Sequence, residues 1–170
     1  RASTREARRS PARRGGPGAK GVGELRLLAL DLGERRIGLA VCDPAGSLVF
    51  PAGHMTRSTL AQDVSRVLSL AAERDVEGIV VGVPYTVAGK TGRQAKQAQG
   101  FIRALEKETL LPVHGVDESY TSVEAEGLLR EAGRQPSRQK ETVDETAAML
   151  ILQRFLDKAQ RQVGDLPLTY

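Results

Sequence analysis

The sequence has no tryptophan and only three phenylalanines and three tyrosines. That scarcity argues against a base-stacking platform of the kind RNA-recognition motifs and OB folds use, and leaves Tyr85 and Tyr120 as single stacking positions. There is one cysteine, Cys42, which excludes an internal disulfide and any CxxC metal site and fits a reducing, cytoplasmic setting. Cys42 lies in an apolar run and is expected in the core. The two histidines, His54 and His114, are read as structural rather than as metal ligands. No apolar run approaches the ~18 residues a membrane span needs. The basic N-terminus lacks the apolar stretch of a secretory signal, so no membrane partner is expected.

What is present is unevenly distributed. A chain of 170 residues suggests one domain with a core of its own. Residues 1–23 hold seven arginines and lysines against one glutamate, a net +6, so an overall charge of +4 leaves residues 24–170 near −2. The tail, "RASTREARRSPARRGGPGAKGVG", has almost no large apolar side chains to offset chain entropy and is expected to be disordered. It could add salt-sensitive affinity for phosphates or be an inert extension. Its composition also resembles a transit peptide, but its apolar spacing is poor.

From Glu24 the punctuation is regular. "LRLLALDLG", "RIGLAVCD" and "SLVFPAGH" read as three strands joined by short turns, which implies an antiparallel meander. A helix opens at Ser58, with Leu60, Val64, Val67, Leu68 and Ala71 on one face. "EGIVVGVP" is a strand of the kind buried on both faces. A helix near 93–109, a fifth strand "LPVHGVDE", a helix from Thr121 and a last helix from about 142 complete the order β-β-β-α-β-α-β-α-α. The expected architecture is α/β: a mixed five-stranded sheet, meander plus parallel βα units, flanked by helices.

Acidic residues stand at the ends of these elements. Asp31 closes the first strand, Asp117 and Glu118 close the fifth, and Asp144 lies in the first turn of the last helix. Open α/β sheets place ligand sites at the carboxyl ends of their strands. Converging carboxylates would repel one another and raise their pKa values, and a divalent cation reverses that cost. Mg2+ and Mn2+ prefer hard oxygen ligands, and two such ions can carry an in-line phosphoryl displacement with neither a histidine base nor a cysteine nucleophile. Each acid also has a plainer role: Asp31 could shape the turn before Gly33, and Asp144 lies where Thr142 and Glu145 have capping-box spacing.

Two other motifs invite nucleotide chemistry. "PYTVAGKT" is one glycine short of a P-loop, and Pro84 stands where the permissive glycine is needed. "DLGERRIGLAVCD" resembles the first phosphate motif of actin-like ATPases and sugar kinases, but those proteins close two such domains over a nucleotide and this chain has room for one. Basic loop residues could instead track a phosphate backbone: Arg35 and Arg36, Lys90 and Arg93, and Arg134, Arg138 and Lys140, although charged loops are often only solvated.

"LALDLGERRIGLAV", "IVVGVPYTVAGKTG", "VHGVDESYTSVEAE" and "VDETAAMLILQRFL" resemble, in order and spacing, the motifs of the YqgF/RuvX family over roughly residues 25–158. Members of that family are named as Holliday junction resolvases and as pre-16S rRNA nucleases. The resemblance implies an RNase H-like fold and an Asp–Glu–Asp metal site, here Asp31, Glu118 and Asp144, with Asp117 a further candidate. On this reading Asp31 bridges two Mg2+ or Mn2+ ions, Glu118 and Asp144 each hold a side, and cleavage leaves 5′-phosphate and 3′-hydroxyl ends. Residues 24–160 would form the nuclease domain and 161–170 a C-terminal tail. The expected function is 5′-end processing of pre-16S rRNA. Cleavage of branched DNA by a two-fold homodimer is one alternative, and a non-catalytic RNA- or ribosome-binding factor is another. Two departures bear on substrate: Ser119 replaces the family's arginine after "DE", and "YTVAGK" replaces a loop that usually reads like "LNMDGT".

Overall fold

In the computed structural model, which describes residues 25–85, 92–118, 121–133 and 140–164, the first apolar run forms β1, Leu27–Leu32. It is followed by β2 (Arg36–Cys42) and β3 (Val49–Thr56), then α1 (Leu60–Glu73), β4 (Gly78–Val83), α2 (Arg93–Glu108), β5 (Val113–Asp117), α3 (Thr121–Glu131) and α4 (Lys140–Gly164). The order is the one the sequence implies, with shifted ends. β3 starts two residues later than expected, and α1 uses Thr59 as its N-cap, accepting from the Gln62 amide. α4 starts two residues earlier and runs to Gly164, past the 160 boundary. The basic tail, most of the 84–91 loop and the polar loop before α4 lie outside the described residues.

The sheet order is β3-β2-β1-β4-β5. β1 pairs antiparallel with β2 and parallel with β4, and β4 pairs parallel with β5, so β1 and β4 are central and both are buried on two faces. Pro51 and the positive-φ Gly53 fall in β3, an edge strand where a missing amide donor and a bulge are tolerated. Asp43 fixes the turn between β2 and β3 by accepting from the Ser47 and Leu48 amides at 2.7 and 2.9 Å.

Strand alternation divides the core. Leu28 and Leu30 of β1, Ile37 and Leu39 of β2, and Ile79 and Val81 of β4 pack with Val64, Val67 and Ala71 of α1 and Phe101 and Leu105 of α2. The intervening residues Leu27, Ala29, Ala40, Cys42 and Val80 pack with Ala148, Ile151, Leu152 and Leu156 of α4. Each fully buried leucine or isoleucine contributes about 1.5–3 kcal/mol, so both layers hold the sheet. Cys42 sits in the core as expected, its sulfur 3.2 Å from the Leu27 amide. Among the described residues no helix is long and apolar enough to cross a membrane.

Candidate active site

Two-residue periodicity decides which acids share a face. In β1, Leu27 and Ala29 face α4, so Asp31 follows onto the same side. In β5, Val116 packs with the α4 layer while Val113 packs with the opposite one. Glu118 therefore falls on the face of Asp31, and Asp117 on the other, exposed. The Glu118 amide extends the ladder by donating to the Val83 carbonyl at 3.1 Å, which holds the residue in strand geometry one position beyond β5.

Two glycines make the space. Gly82 of β4 stands where a β-carbon would lie 2.2 Å from Glu118 Oε2 and 2.6 Å from Ile151 Cδ1. Gly38 of β2 is the cross-strand partner of Asp31, and a β-carbon there would lie 2.1 Å from the Asp144 carbonyl oxygen. One glycine admits the Glu118 carboxyl and the other admits α4. Both are visible in "RIGLAV" and "VVGVP", but nothing local marks them as more than weak strand residues.

Asp31 and Glu118 are 8% and 7% exposed, and they are hydrogen-bonded to each other. Burial pushes the Glu118 carboxyl up to about 9, with the Asp31 charge, the hydrogen bond to Asp31 and the nearby Asp117 adding to it. The hydrogen bond between the two thus favours the protonated form of Glu118 and the ionised form of Asp31. Burial also raises Asp31; the Glu118 hydrogen bond opposes that rise and the Asp144 charge reinforces it. Asp144 is close enough to be felt at Asp31, but its Oδ2 accepts from Arg36 Nε at 2.9 Å. Among the described residues no three acid, histidine or cysteine side chains stand together as an ion's ligands: Asp31 and Glu118 form a pair, and Asp144 stands beside them in an ion pair.

Asp144 is the fifth residue of α4. Thr142 is already helical, and its carbonyl accepts from Thr146 Oγ1 at 2.7 Å, so the expected capping box is absent and the plain reading of Asp144 weakens. Arg36, expected to contact nucleic acid, is half-buried against Asp144. It lines a cavity of about 350 Å3 with Gly33, Glu34, Arg35 and Asp144. Arg35 and Arg93 are exposed. Lys90, Arg134 and Arg138 lie outside the described residues, as do Ser119 and Tyr120; Lys140 opens α4, its side chain undescribed.

A clamp behind the site had no sequence signal. Arg57 donates to the Gly33 carbonyl at 2.9 Å and pairs with the fully buried Asp63 at 3.5 Å. Asp63 Oδ1 also accepts from the Ser58 amide at 2.9 Å. The turn carrying Arg35 and Arg36 is thereby tied to the start of α1.

The family model for RuvX, described as Holliday junction resolvase, matches residues 25–158. A Synechococcus sp. protein named "Putative pre-16S rRNA nuclease" is 47% identical over 131 residues, covering 77% of this chain and 88% of that one. A protein of the same name from Thermosynechococcus vestitus is 41% identical over 147 residues, covering 83% and 97%. Among solved structures, T. thermophilus RuvC in complex with Holliday junction substrate superposes with a TM-score of 0.50 at 16% identity, over 82% of this chain and 97% of that one. The fowlpox virus Holliday junction resolvase gives 0.52 at 9% identity, over 79% and 99%. At such identities the structural likeness is one of fold.

Proposed function

The chain belongs to the RuvX family and has its RNase H-like fold, and from that premise we propose that it is a divalent-metal-dependent nuclease that processes the 5′ end of pre-16S rRNA. The observation that carries the reading is the burial of Asp31 and Glu118 against each other, on the face that Asp144 overlooks. Two carboxyls buried this deeply cannot both ionise without a compensating cation. The donor set fits Mg2+ or Mn2+: hard oxygens from Asp31, Glu118 and Asp144, in the space that Gly82 leaves open. Asp31 interacts with both other acids and would hold the metal together with them.

Bound there, such ions supply Lewis-acid polarisation of the scissile phosphate and an activated water. The chain's own residues do the rest. Glu118 would hold such an ion as a carboxylate, and the ion's charge would favour its ionised form over the protonated one. Arg36 keeps Asp144 oriented and places a guanidinium beside the phosphate. Arg35, exposed on the same turn and lining the same cavity as Asp144, adds a second cation beside the acidic centre. Bond cleavage leaves 5′-phosphate and 3′-hydroxyl ends.

The RuvX description and the shared RuvC fold favour one second reading, cleavage of a four-way DNA junction by the same carboxylates. The deciding experiment incubates wild type and Asp31→Asn with precursor rRNA, single strands and a four-way junction, with and without Mn2+. Metal-dependent cleavage of the precursor that Asp31→Asn abolishes is the expected result. Preferential cutting of the junction selects the second reading. Cleavage that survives the substitution or chelation overturns the metal mechanism, and binding without cleavage of any substrate makes the chain a non-catalytic factor.

A further inference from the structure

We propose that the cavity along β5 and the C-terminal half of α4 binds one or two unpaired nucleotides of the substrate strand where it leaves the catalytic carboxylates. The proposal rests on the nuclease reading and deepens it by naming the form of nucleic acid the enzyme selects.

The cavity measures about 710 Å3, within the ~300–1,000 Å3 range of small-ligand sites. Arg154 and Lys158 lie on its wall one turn of α4 apart, with His114 and Phe155 beside them and Leu27 and Val116 forming an apolar floor. The His114 and Phe155 rings sit 5.0 Å apart at 37°, with His114 exposed on its outer side. Two cations flanking an exposed ring over an apolar floor are unexpected on a body whose residues 24–170 carry about −2. A phosphate pairs with an exposed cation such as Lys158, and a base lays its flat face on a ring or apolar wall.

Continuity with the site sets the occupant. The lining follows β5 from Val113 to Asp117, so one end of the cavity reaches the residue before Glu118. A nucleic-acid strand that leaves the acids along β5 would run into this cavity. A duplex keeps its bases stacked inside and has no free face to lay there. The cavity therefore selects an unpaired strand over the paired arms of a junction.

The test uses the full chain in chelator and follows fluorescence anisotropy of a labelled single-stranded RNA of about 10 nucleotides, the same strand in duplex, and a four-way DNA junction. His114→Ala and Lys158→Gln alter exposed residues, and circular dichroism checks their fold. Each should weaken single-strand binding about 5–10-fold and change duplex and junction binding less than about twofold. With metal restored, KM for the single strand should rise by the same factor with kcat unchanged. Lys107→Gln, on the opposite layer, controls for charge alone. Unchanged single-strand affinity overturns the proposal, as does an equal loss on duplex or in Lys107→Gln. Wild type that cleaves while the variants behave normally sinks the subsite and leaves the nuclease standing. Variants that lose binding to an enzyme that never cleaves leave the subsite and sink the nuclease. Wild type that binds none of the three probes removes both.

Discussion

Gly38 lies directly beneath Asp144: a β-carbon on Gly38 would stand 2.1 Å from the Asp144 carbonyl oxygen and 3.0 Å from its β-carbon. The same glycine pairs across the ladder with Asp31, so one missing side chain brings a helix and a strand, each with its carboxylate, into contact. A backbone oxygen cannot swing aside as a side-chain end can, and Gly38→Ala must lift the start of α4. We expect a loss of about 1–3 kcal/mol in urea unfolding and more than a tenfold loss of cleavage. Gly100→Ala in α2 should do the opposite, since its nearest neighbour is an Arg103 nitrogen at 3.8 Å; a gain of about 0.5–1 kcal/mol is expected. Equal losses at both positions would deny Gly38 its particular role.

The proton on Glu118 predicts how stability responds to pH without metal. Native Glu118 holds its proton up to about 9, against an ordinary value of 4.5. Between those limits the native state binds more protons than the unfolded one. Stability is therefore fully present below about 4.5 and falls as pH rises through 9, by at most about 1.4 kcal/mol per pH unit. Thermal melts in chelator at a series of pH values measure this. A flat or rising profile across neutral pH, after correction with Glu118→Gln, would contradict the buried shared proton.

Substituting the acids should separate stability from function. Glu118→Gln keeps a donor toward Asp31 and removes the group that resists ionisation, so the chelated protein should melt higher at pH 8 than wild type. The same variant should lose most of the stabilisation that Mn2+ gives the wild type and at least about 100-fold in cleavage. Asp117→Asn, on the other face of β5, should change cleavage less than about threefold. A reversal of roles between Asp117 and Glu118 in Mn2+ titrations would overturn the assignment.

Arg57→Ala should be among the more destabilising loop changes. It removes the partner of Asp63, which is fully buried, and leaves that charge uncompensated at a cost of about 3 kcal/mol. The Gly33 carbonyl also loses its 2.9 Å donor, loosening the turn that carries Arg36. Arg57→Ala combined with Asp63→Ala should recover part of the loss, and a strictly additive double variant would show that the two residues do not interact.

Arg36→Gln should be mild for stability and severe for function. The Arg36–Asp144 pair is about a quarter exposed on each side, so its net contribution is below about 1 kcal/mol. Urea midpoints should move little, whereas cleavage should fall more than tenfold as Asp144 loses its orientation. A variant that cleaves normally would make the pair a surface ion pair without catalytic consequence.

The element order was legible because it is written in local periodicity: two-residue alternation in "LLALDL", an unbroken apolar run in "GIVVGV", and helical spacing in α1. Those signals act within a few residues of chain. They were weaker at the ends, so β3 began late and α4 began before Thr142, which turned an anticipated cap into a helical interior residue. The family motifs singled out Asp31, Glu118 and Asp144, but neither their proton nor their partners. Choosing between Asp117 and Glu118 required knowing which face of β5 receives α4. The roles of Gly38 and Gly82 depended on what approaches an absent side chain, and Arg57 and Asp63 meet only because β3 ends beside the β1–β2 turn.

By itself, then, the sequence determined the strands and helices, their order, and three acids at their ends, since backbone preference and burial pattern are properties of neighbouring residues. Only the tertiary structure decided that Asp31 and Glu118 are buried against each other while Asp144 answers to Arg36. Desolvation and Coulomb interaction depend on distance through the fold, and strand pairing sets that distance by closing β1 against β2 on one side and β4 on the other.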